Sequence, residues 1–295
     1  MPIRFDEIGL RLRAYRLGKN FTADDVARIL GISRAAVYRL EKGELVKIQT
    51  LEALSELLEV SLSSLLGAEV EYYDSPLAYF ERVRQLEETS TLMLGNFAPI
   101  SMLLLSDEYM GHLRVMLIES VQQADETCDA GAIVDRIFPT LMERRAASRH
   151  HRCPTVNIVG TQDIMHLLHF GLVGRYDLPA AVVAERRLAA RREIEHLADI
   201  MEREPIGVQI GIVAGLTTAQ AFRIFERSAG PSVTISPFRL GAHPNITSGT
   251  AMVTSAVEAV KLFKETITSQ WERAYRGPAG AAILREMAKK TATAD

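Results

Sequence analysis

A pair of short helices separated by one tight turn is the feature that most restricts what this chain can fold into. Thr22 precedes a stretch in which apolar residues recur at helical spacing, and its hydroxyl is suited to capping the free N–H groups of a helix. Gly31 ends this helix, because glycine readily adopts the left-handed conformation common at helix C-termini. Ser33 is then expected to cap a second helix over 34–42, which Gly43 closes.

Two helices joined by a short turn that contains glycine form a helix-turn-helix, whose second helix enters the major groove of DNA. Such a helix needs small side chains where the duplex is close, and long donors where bases or phosphates lie within reach. The residues predicted to contact DNA are Thr22, Ser33, Arg34, Ala35, Ala36, Tyr38, Arg39, Lys42 and Lys47. For any single arginine, ordinary solvation of a helix surface is the alternative interpretation.

The stretch from Phe21 to Leu66 resembles, without gaps, the phage-repressor-type helix-turn-helix of the XRE family. The matching positions are Val26, Ala27, Leu30, Gly31, Ser33, Val37, Arg39, Glu41, Gly43, Leu51, Leu54 and the closing segment 60–66. Residues 8–67 are predicted to form five short helices, because apolar residues recur at helical spacing between capping and helix-ending residues. In the first helix, Arg11, Arg13 and Arg16 are expected to point away from the apolar face. The resemblance implies that these helices form an all-α DNA-binding domain. Family members commonly carry a glutamine that reaches a backbone phosphate where this chain has Ala23, so phosphate anchoring is expected to shift elsewhere.

The distribution of charge, rather than its total, must attract DNA to this chain. The formal net charge is −3, and residues 1–70 contain ten Lys or Arg against ten Asp or Glu. Non-specific polyanion binders carry a strong basic excess, so this class is excluded for the whole chain. We expect Arg34, Arg39, Lys42 and Lys47 to share one face and to give a modest, salt-dependent affinity.

Length and composition indicate a second domain. The 295 residues, 47% of them hydrophobic, suffice for about two domains with ordinary cores. The polar, acidic segment 68–76 ends in a proline and is predicted to link a domain at 1–67 to one at 77–295. In the second domain, strands are predicted at 155–159, 208–213, 232–236 and 250–254, and helices at 77–94, 107–124, 131–147, 162–170, 179–203, 217–228 and 256–276.

This order of elements predicts an α/β or α+β domain with a small sheet packed by helices. Residues 79–275 resemble, in element order and hydrophobic pattern, a C-terminal domain of unknown function that often follows this helix-turn-helix in actinobacterial regulators. The most specific part is the segment Thr-Ile-Ser-Pro-Phe-Arg-Leu-Gly-Ala-His-Pro at 234–244. The resemblance implies a domain that senses a signal or binds a protein partner.

Three residues of this second domain are candidates for binding an effector. His243 follows a predicted strand, in a loop of the kind that often carries ligand-binding groups, and Arg239 lies in the same segment. Arg149 belongs to a basic cluster, together with Arg144, Arg145 and Arg152, that could meet an acidic ligand, a partner or flanking DNA. The alternatives are a turn residue for His243 and a solvated helix end for the basic cluster.

Neither a catalytic constellation nor a cofactor site is recognised in the sequence. His150, His151 and Cys153 lie close together, but the positive charge of that run disfavours a metal cation, so no metal is predicted. The Cys153 thiol, flanked by Arg152, is the better candidate for a reactive cysteine, and the alternative interpretation is a structural thiol.

The sequence thus predicts a bacterial-type transcription regulator, not an enzyme, that binds a two-fold operator as a homodimer. The C-terminal domain is expected to dimerise and to receive a signal from a small molecule or a small protein. One alternative is a partner-controlled regulator or antitoxin, and another is an enzyme fused to a DNA-binding domain. Because the chain lacks a secretory signal, a long apolar run and a disulfide framework, a cytoplasmic location without a membrane partner is expected.

Overall fold

The computed structural model describes residues 5–44, 47–67, 70–96, 100–150, 153–215 and 221–292. The N-terminal part contains α1 (Phe5–Gly18), α2 (Ala23–Leu30), α3 (Arg34–Glu41), α4 (Ile48–Leu58) and α5 (Leu62–Leu66). A sheet packed by helices follows this helical part. The predicted fold class, a helical N-terminal domain followed by a sheet domain packed by helices, is therefore confirmed.

The sheet has eight strands in the described residues, more than the small sheet that the sequence predicts. They are β1 (Val70–Tyr73), β2 (Ser90–Asn96), β3 (Thr155–Gly160), β4 (Val208–Val213), β5 (Phe222–Arg227), β6 (Ser232–Ile235), β7 (Ala251–Thr254) and β8 (Tyr275–Arg276). Their order is β1-β7-β6-β5-β2-β3-β4-β8. The strands β2, β3 and β4 are parallel neighbours, and the remaining pairs are antiparallel.

Helices cover both faces of the sheet. They are α6 (Pro76–Glu88), α7 (Asp107–Ala124), α8 (Ala130–His150), α9 (Thr161–Phe170), α10 (Ala180–Arg203), α11 (Val257–Glu272) and α12 (Gly277–Ala292). On β5, Phe222 and Ile224 pack with α11, whereas Phe225 belongs to the main core on the opposite face. This alternation follows from the two-residue period of a strand. Helices α6, α9 and α12 contact strands from the main-core side.

Two predicted helices are wrong in part, because strands replace them. The helix expected over 77–94 ends at Glu88, and β2 begins at Ser90. Because β2 lies between β5 and β3, backbone pairing on both sides outweighs the helical spacing of this segment. The helix expected over 217–228 is strand β5 from Phe222 onward, while residues 217–220 lie outside the described residues.

The segment 68–76, predicted to be a linker, contains strand β1. Residues 70–73 pair along their whole length with β7, from Val70 opposite Thr254 to Tyr73 opposite Ala251. Residues 68 and 69 lie outside the described residues. The segment is thus built into the sheet, and the division of the chain into two domains stays a prediction.

Buried charges join α1 to the sheet domain. We call this group the junction cluster, and its members are Glu7, Arg11, Glu71, Arg82 and Arg227. The Nε atoms of Arg11 and Arg82 donate to Glu71 at 2.5 and 2.9 Å. Glu7 accepts from Arg82 at 3.0 Å and from Arg227 at 2.6 Å. Because these residues come from α1, β1, α6 and β5, the cluster fixes the helical part against the sheet domain.

Aromatic and small residues complete the same contact. The rings of Tyr15 on α1 and Tyr73 on β1 stack with their centroids 4.7 Å apart. A Cβ atom at Gly18 would lie only 2.5 Å from the Cβ of Ala78 on α6, so glycine permits the close approach of the two helices.

None of the helices in the described residues combines the length and the hydropathy that crossing a lipid bilayer requires.

A basic pair on α8 is buried rather than solvated, contrary to the interpretation of that cluster as a solvated helix end. Arg144 donates to both carboxylate oxygens of Glu87, at 2.9 and 2.7 Å. Arg145 donates to the backbone carbonyls of Met102 and Leu105, at 2.5 and 2.6 Å. These bonds satisfy the polar backbone of the apolar turn before α7, which could otherwise not be buried.

Candidate nucleic-acid interface

The first helix of the predicted pair starts with a complete capping box. The Thr22 hydroxyl accepts a hydrogen bond from the Asp25 backbone N–H at 3.1 Å, and the Asp25 carboxylate accepts one from the Thr22 N–H at 2.9 Å. The bond from the Thr22 hydroxyl is the main reason that the pKa of Asp25 falls to about 2. This reciprocal arrangement satisfies two of the free N–H groups at the start of α2.

The turn between the helices has the backbone that the sequence predicts. Gly31 has a φ of +65°, in the left-handed region that glycine adopts without a steric cost. The Ser33 hydroxyl accepts a hydrogen bond from the Ala36 N–H at 3.1 Å and caps α3. The direction in which α3 leaves the turn is therefore fixed by short-range chemistry.

Helix α3 is held in place by its inner face. Val37 is fully buried in the helical core. Glu41 accepts from Arg16 Nε at 2.5 Å and from Arg16 Nη2 at 3.2 Å, and a third bond joins Arg16 to the carbonyl of Phe21 at 2.8 Å. This buried ion pair connects the end of α3 to α1 and to the start of the α2 region. A buried pair of this kind imposes one geometry, because separating its members would leave unpaired charges.

The outer face of α3 carries the long donors. About 60% of the Arg34 side chain and 61% of the Arg39 side chain are exposed. Tyr38 and Lys42 are also exposed. The α3 surface, which we define as Arg34, Tyr38, Arg39 and Lys42, therefore projects away from the helical core.

The exposed arginines have weak partners within the protein. Arg34 lies 3.3 Å from the Asp24 carboxylate and donates to the Tyr38 hydroxyl at 3.2 Å. Its hydrogen bond with Tyr38, followed by the charge of Asp24, raises the pKa of the guanidinium. Arg39 lies 3.7 Å from Glu44. Ion pairs this exposed contribute little, so phosphates or base edges can replace the carboxylates.

The other predicted contact residues lie around this surface. Ala35 is exposed and Ala36 half-buried, as a helix close to a duplex requires. Thr22 and Ser33 mark the starts of α2 and α3, whose N-terminal N–H groups suit phosphate binding. Lys47 is exposed at the start of α4. The assignment of these residues to DNA contacts stays a prediction.

Two buried residues near the site bear on the sequence-based prediction, Ala23 and Arg16. Ala23 is buried, so the family's usual phosphate contact has no counterpart at that position. Arg16, which positions α3 through Glu41, was expected to point away from the apolar face of α1. It follows Leu12 by four residues and therefore continues the buried stripe, a spacing that could have indicated its burial.

Comparison with known proteins agrees with this geometry. The helix-turn-helix family model matches residues 12–65, a range that runs from within α1 to α5. The match indicates that these residues form a DNA-binding helix-turn-helix of the kind found in transcription regulators. More specifically, the match supports a helix-turn-helix of the XRE type. No curated protein matches the chain.

The predicted effector residue His243 is buried, but the aromatic rings around it are exposed or half-buried. Its ring stacks on Tyr176 with the centroids 4.0 Å apart, and the ring of His166 lies 5.6 Å away. Neither imidazole nitrogen has a hydrogen-bond partner among the described residues. Burial, aided by His166 and Arg239, lowers the pKa of His243 to about 4. The imidazole is therefore uncharged at neutral pH and offers no positive charge to an acidic ligand.

The remaining candidates of the sheet domain are dispersed. Arg239 is close enough to influence the His243 pKa, whereas Arg149 forms an ion pair with Asp107 at the start of α7. Binding of an effector by these residues stays a prediction. Burial, followed by the charge of Glu87, raises the pKa of the Cys153 thiol, which opposes formation of the reactive thiolate. The comparison of its reactivity with that of Cys128 stays a prediction. His151 and Arg152 of the same run lie outside the described residues.

Proposed function

We propose that the chain is a sequence-specific transcription regulator that binds double-stranded DNA as a homodimer and responds to a signal through its sheet domain. The observation that carries this proposal is the α3 surface: Arg34, Tyr38, Arg39 and Lys42 are exposed on a helix whose inner face is fixed by Val37. A rigid helix with exposed donors is what reading base edges in a major groove requires.

The proposed contacts follow from the donors that each residue offers. A guanidinium can donate two parallel hydrogen bonds to a guanine edge, so Arg34 and Arg39 are assigned to base reading. Lys42 and Lys47 are assigned to phosphates, together with the helix starts marked by Ser33. When α3 enters the groove, the weak internal ion pairs of the two arginines are exchanged for contacts with DNA.

We assign the chain a role in DNA binding without a catalytic step. Two copies would each place α3 in a half-site about one duplex turn from the other, so that protein and operator share a two-fold axis. A signal received by the sheet domain would alter the relative placement of the two α3 helices and hence the affinity for the operator.

The test begins with selection of bound duplexes from a random library by the full chain. We expect one two-fold sequence to be enriched, and Arg34→Ala to weaken binding to it by ~1–3 kcal/mol, or about 5- to 150-fold. Arg203→Ala is the matched control, because Arg203 is also exposed and paired with an aspartate, Asp199, but lies on α10. Enrichment of no sequence, or equal affinity of wild type and Arg34→Ala, overturns the proposal.

A further inference from the structure

A cleft of about 550 Å³ lies between the helical part and the sheet domain. One side is formed by Gly18 and Asn20, at the turn between α1 and α2. The other side is formed by the start of α6, the ends of α7 and α8 that face each other, and the loop before β7. A volume of this size suits a small molecule. None of the residues predicted to bind DNA or an effector lines this cleft.

The walls of the cleft are aliphatic. Leu77, Val121, Ile133, Ile137 and Ile246 line it from four different segments. Aromatic side chains are absent from the described residues that line it, so no ring is available to stack on a planar ligand. Branched aliphatic walls favour a ligand with an aliphatic body, since burial of its apolar surface supplies the main attraction.

One positive charge in the cleft lacks an acidic partner. Arg136 on α8 donates to the Asn20 side-chain oxygen at 3.2 Å, and the described residues offer it no ion pair. Asp125 also lines the cleft, but one of its carboxylate oxygens already accepts bonds from the N–H and the hydroxyl of Thr127, at 2.9 and 2.6 Å. The Arg136 guanidinium is therefore the group in the cleft that can bind an anion, and its planar fork matches a carboxylate.

We infer that this cleft binds a small aliphatic carboxylate, with the carboxylate on Arg136 and the hydrocarbon chain against the aliphatic walls. The inference deepens the proposed function, on which it rests, because it identifies where the signal is received and what chemical class it belongs to. The ligand contacts both the helical part and the sheet domain, so it occupies a position from which it can influence DNA binding.

The coupling to DNA binding follows from the Asn20 contact. Asn20 has a φ of +59°, a left-handed conformation held by the turn that leads into Thr22 and α2. A carboxylate bound to Arg136 competes for the guanidinium that now holds Asn20. Because the junction cluster fixes α1, the change falls on the turn and on α2 rather than on α1. Binding then shifts the population of α2 and α3 positions and changes the affinity for DNA.

The experiment measures ligand binding to the full chain without DNA. Butanoate, octanoate and dodecanoate are titrated by calorimetry, and octanamide serves as the uncharged counterpart of octanoate. We expect saturable binding of one carboxylate per chain, and binding about two- to fivefold weaker for octanamide and for Arg136→Gln, because Arg136 is an exposed residue. Arg114→Gln is the matched control with unchanged affinity, because Arg114 is exposed on α7 and pairs with Asp135 outside the cleft.

A second variant tests the location independently of charge. Ala124→Trp places a large ring in the cleft and is expected to abolish octanoate binding while the thermal unfolding midpoint stays near that of wild type. The inference is overturned when none of the three carboxylates binds, or when octanoate binds equally well to Arg136→Gln or to Ala124→Trp. Since these titrations contain no DNA, their failure is separate from failure to select a duplex.

Discussion

The arginines of the α3 surface and those of the junction cluster are one residue type in opposite surroundings. Arg34 and Arg39 keep most of their hydration, and their carboxylate partners lie 3.3 and 3.7 Å away. Arg82 is 1% exposed and donates to Glu71 and Glu7 at 2.9 to 3.0 Å. An exposed guanidinium can change partners at little cost, whereas a buried one cannot leave its carboxylates without leaving charges unpaired.

This difference separates recognition from positioning. Loss of an exposed arginine is expected to change DNA affinity and leave stability intact, while loss of a buried one is expected to destabilise the attachment of the helical part. The two expectations concern different measurements, so each can be contradicted without the other.

The largest effect is expected for Arg82→Leu. The substitution removes the donors to Glu71 and Glu7 and leaves buried carboxylates without full compensation. We expect the free energy of unfolding, measured by urea denaturation, to fall by ~3–5 kcal/mol. Arg203→Leu, at an exposed position, is expected to change it by less than about 0.5 kcal/mol. Equal stability of the two variants would show that the junction cluster is dispensable.

The free energy of unfolding at acidic pH should depend on the same junction cluster. Burial alone would raise the pKa of Glu71, but Arg82 and Arg11 lower it to about 2, below the ordinary value of 4.5. A carboxylate with a lowered pKa in the folded state stabilises the fold above its unfolded pKa and loses this contribution as the pH falls. We expect a loss of about 3 kcal/mol between pH 5 and 2 from this group.

Urea denaturation across that pH range measures this contribution. In Glu71→Gln the group does not titrate, so the unfolding free energy of the variant should depend less steeply on pH than that of wild type. Parallel profiles for the two proteins would contradict the charge state assigned to Glu71.

An intermediate effect is expected for Arg39→Ala. Fluorescence anisotropy with the selected duplex should show a loss of ~1–3 kcal/mol in binding free energy, because a base-reading guanidinium is removed. The free energy of unfolding should change by less than about 0.5 kcal/mol, since the side chain is exposed. Strong destabilisation without a specific loss of DNA binding would place Arg39 in the same category as Arg82.

The smallest effect is expected for Asp24→Asn. The Asp24 carboxylate holds Arg34 at 3.3 Å and adds negative charge near the proposed path of the phosphates. Its neutralisation should strengthen DNA binding by roughly 0.5 kcal/mol, more at low salt than at high salt. Asp135→Asn, which affects an exposed ion pair on α8, is the control. Weaker binding by Asp24→Asn would mean that Asp24 orients Arg34 for recognition.

What the sequence predicts well is local. Thr22, Gly31 and Ser33 act within three or four residues of their own positions, through caps and a left-handed turn, so their roles can be read from neighbouring residues. The inward position of Val37 follows from helical spacing in the same way. The helix that carries the proposed DNA contacts is predictable for this reason, although its contacts with DNA are not.

What the sequence does not predict depends on distant partners. Arg144 was expected to lie at a solvated helix end, yet its partner Glu87 is 57 residues away. Strand β5 was also not predicted, because Arg223 and Arg227 interrupt its apolar pattern. In the structure these two half-buried arginines pair with Glu87 and Glu7. Neither carboxylate could be matched to its arginine from the sequence, because only the folded sheet and α8 bring them together.

Strand β1 has a consequence for operator geometry. Residues 68 and 69 alone stand between Gly67, which ends α5, and a strand that is paired throughout with β7. The helical part, which carries the proposed DNA contacts, is therefore joined to the sheet by a very short connection. In the proposed dimer, the sheet domains set the distance between the two helical parts. An operator whose half-sites are moved apart by a few base pairs can therefore engage only one of the two helical parts.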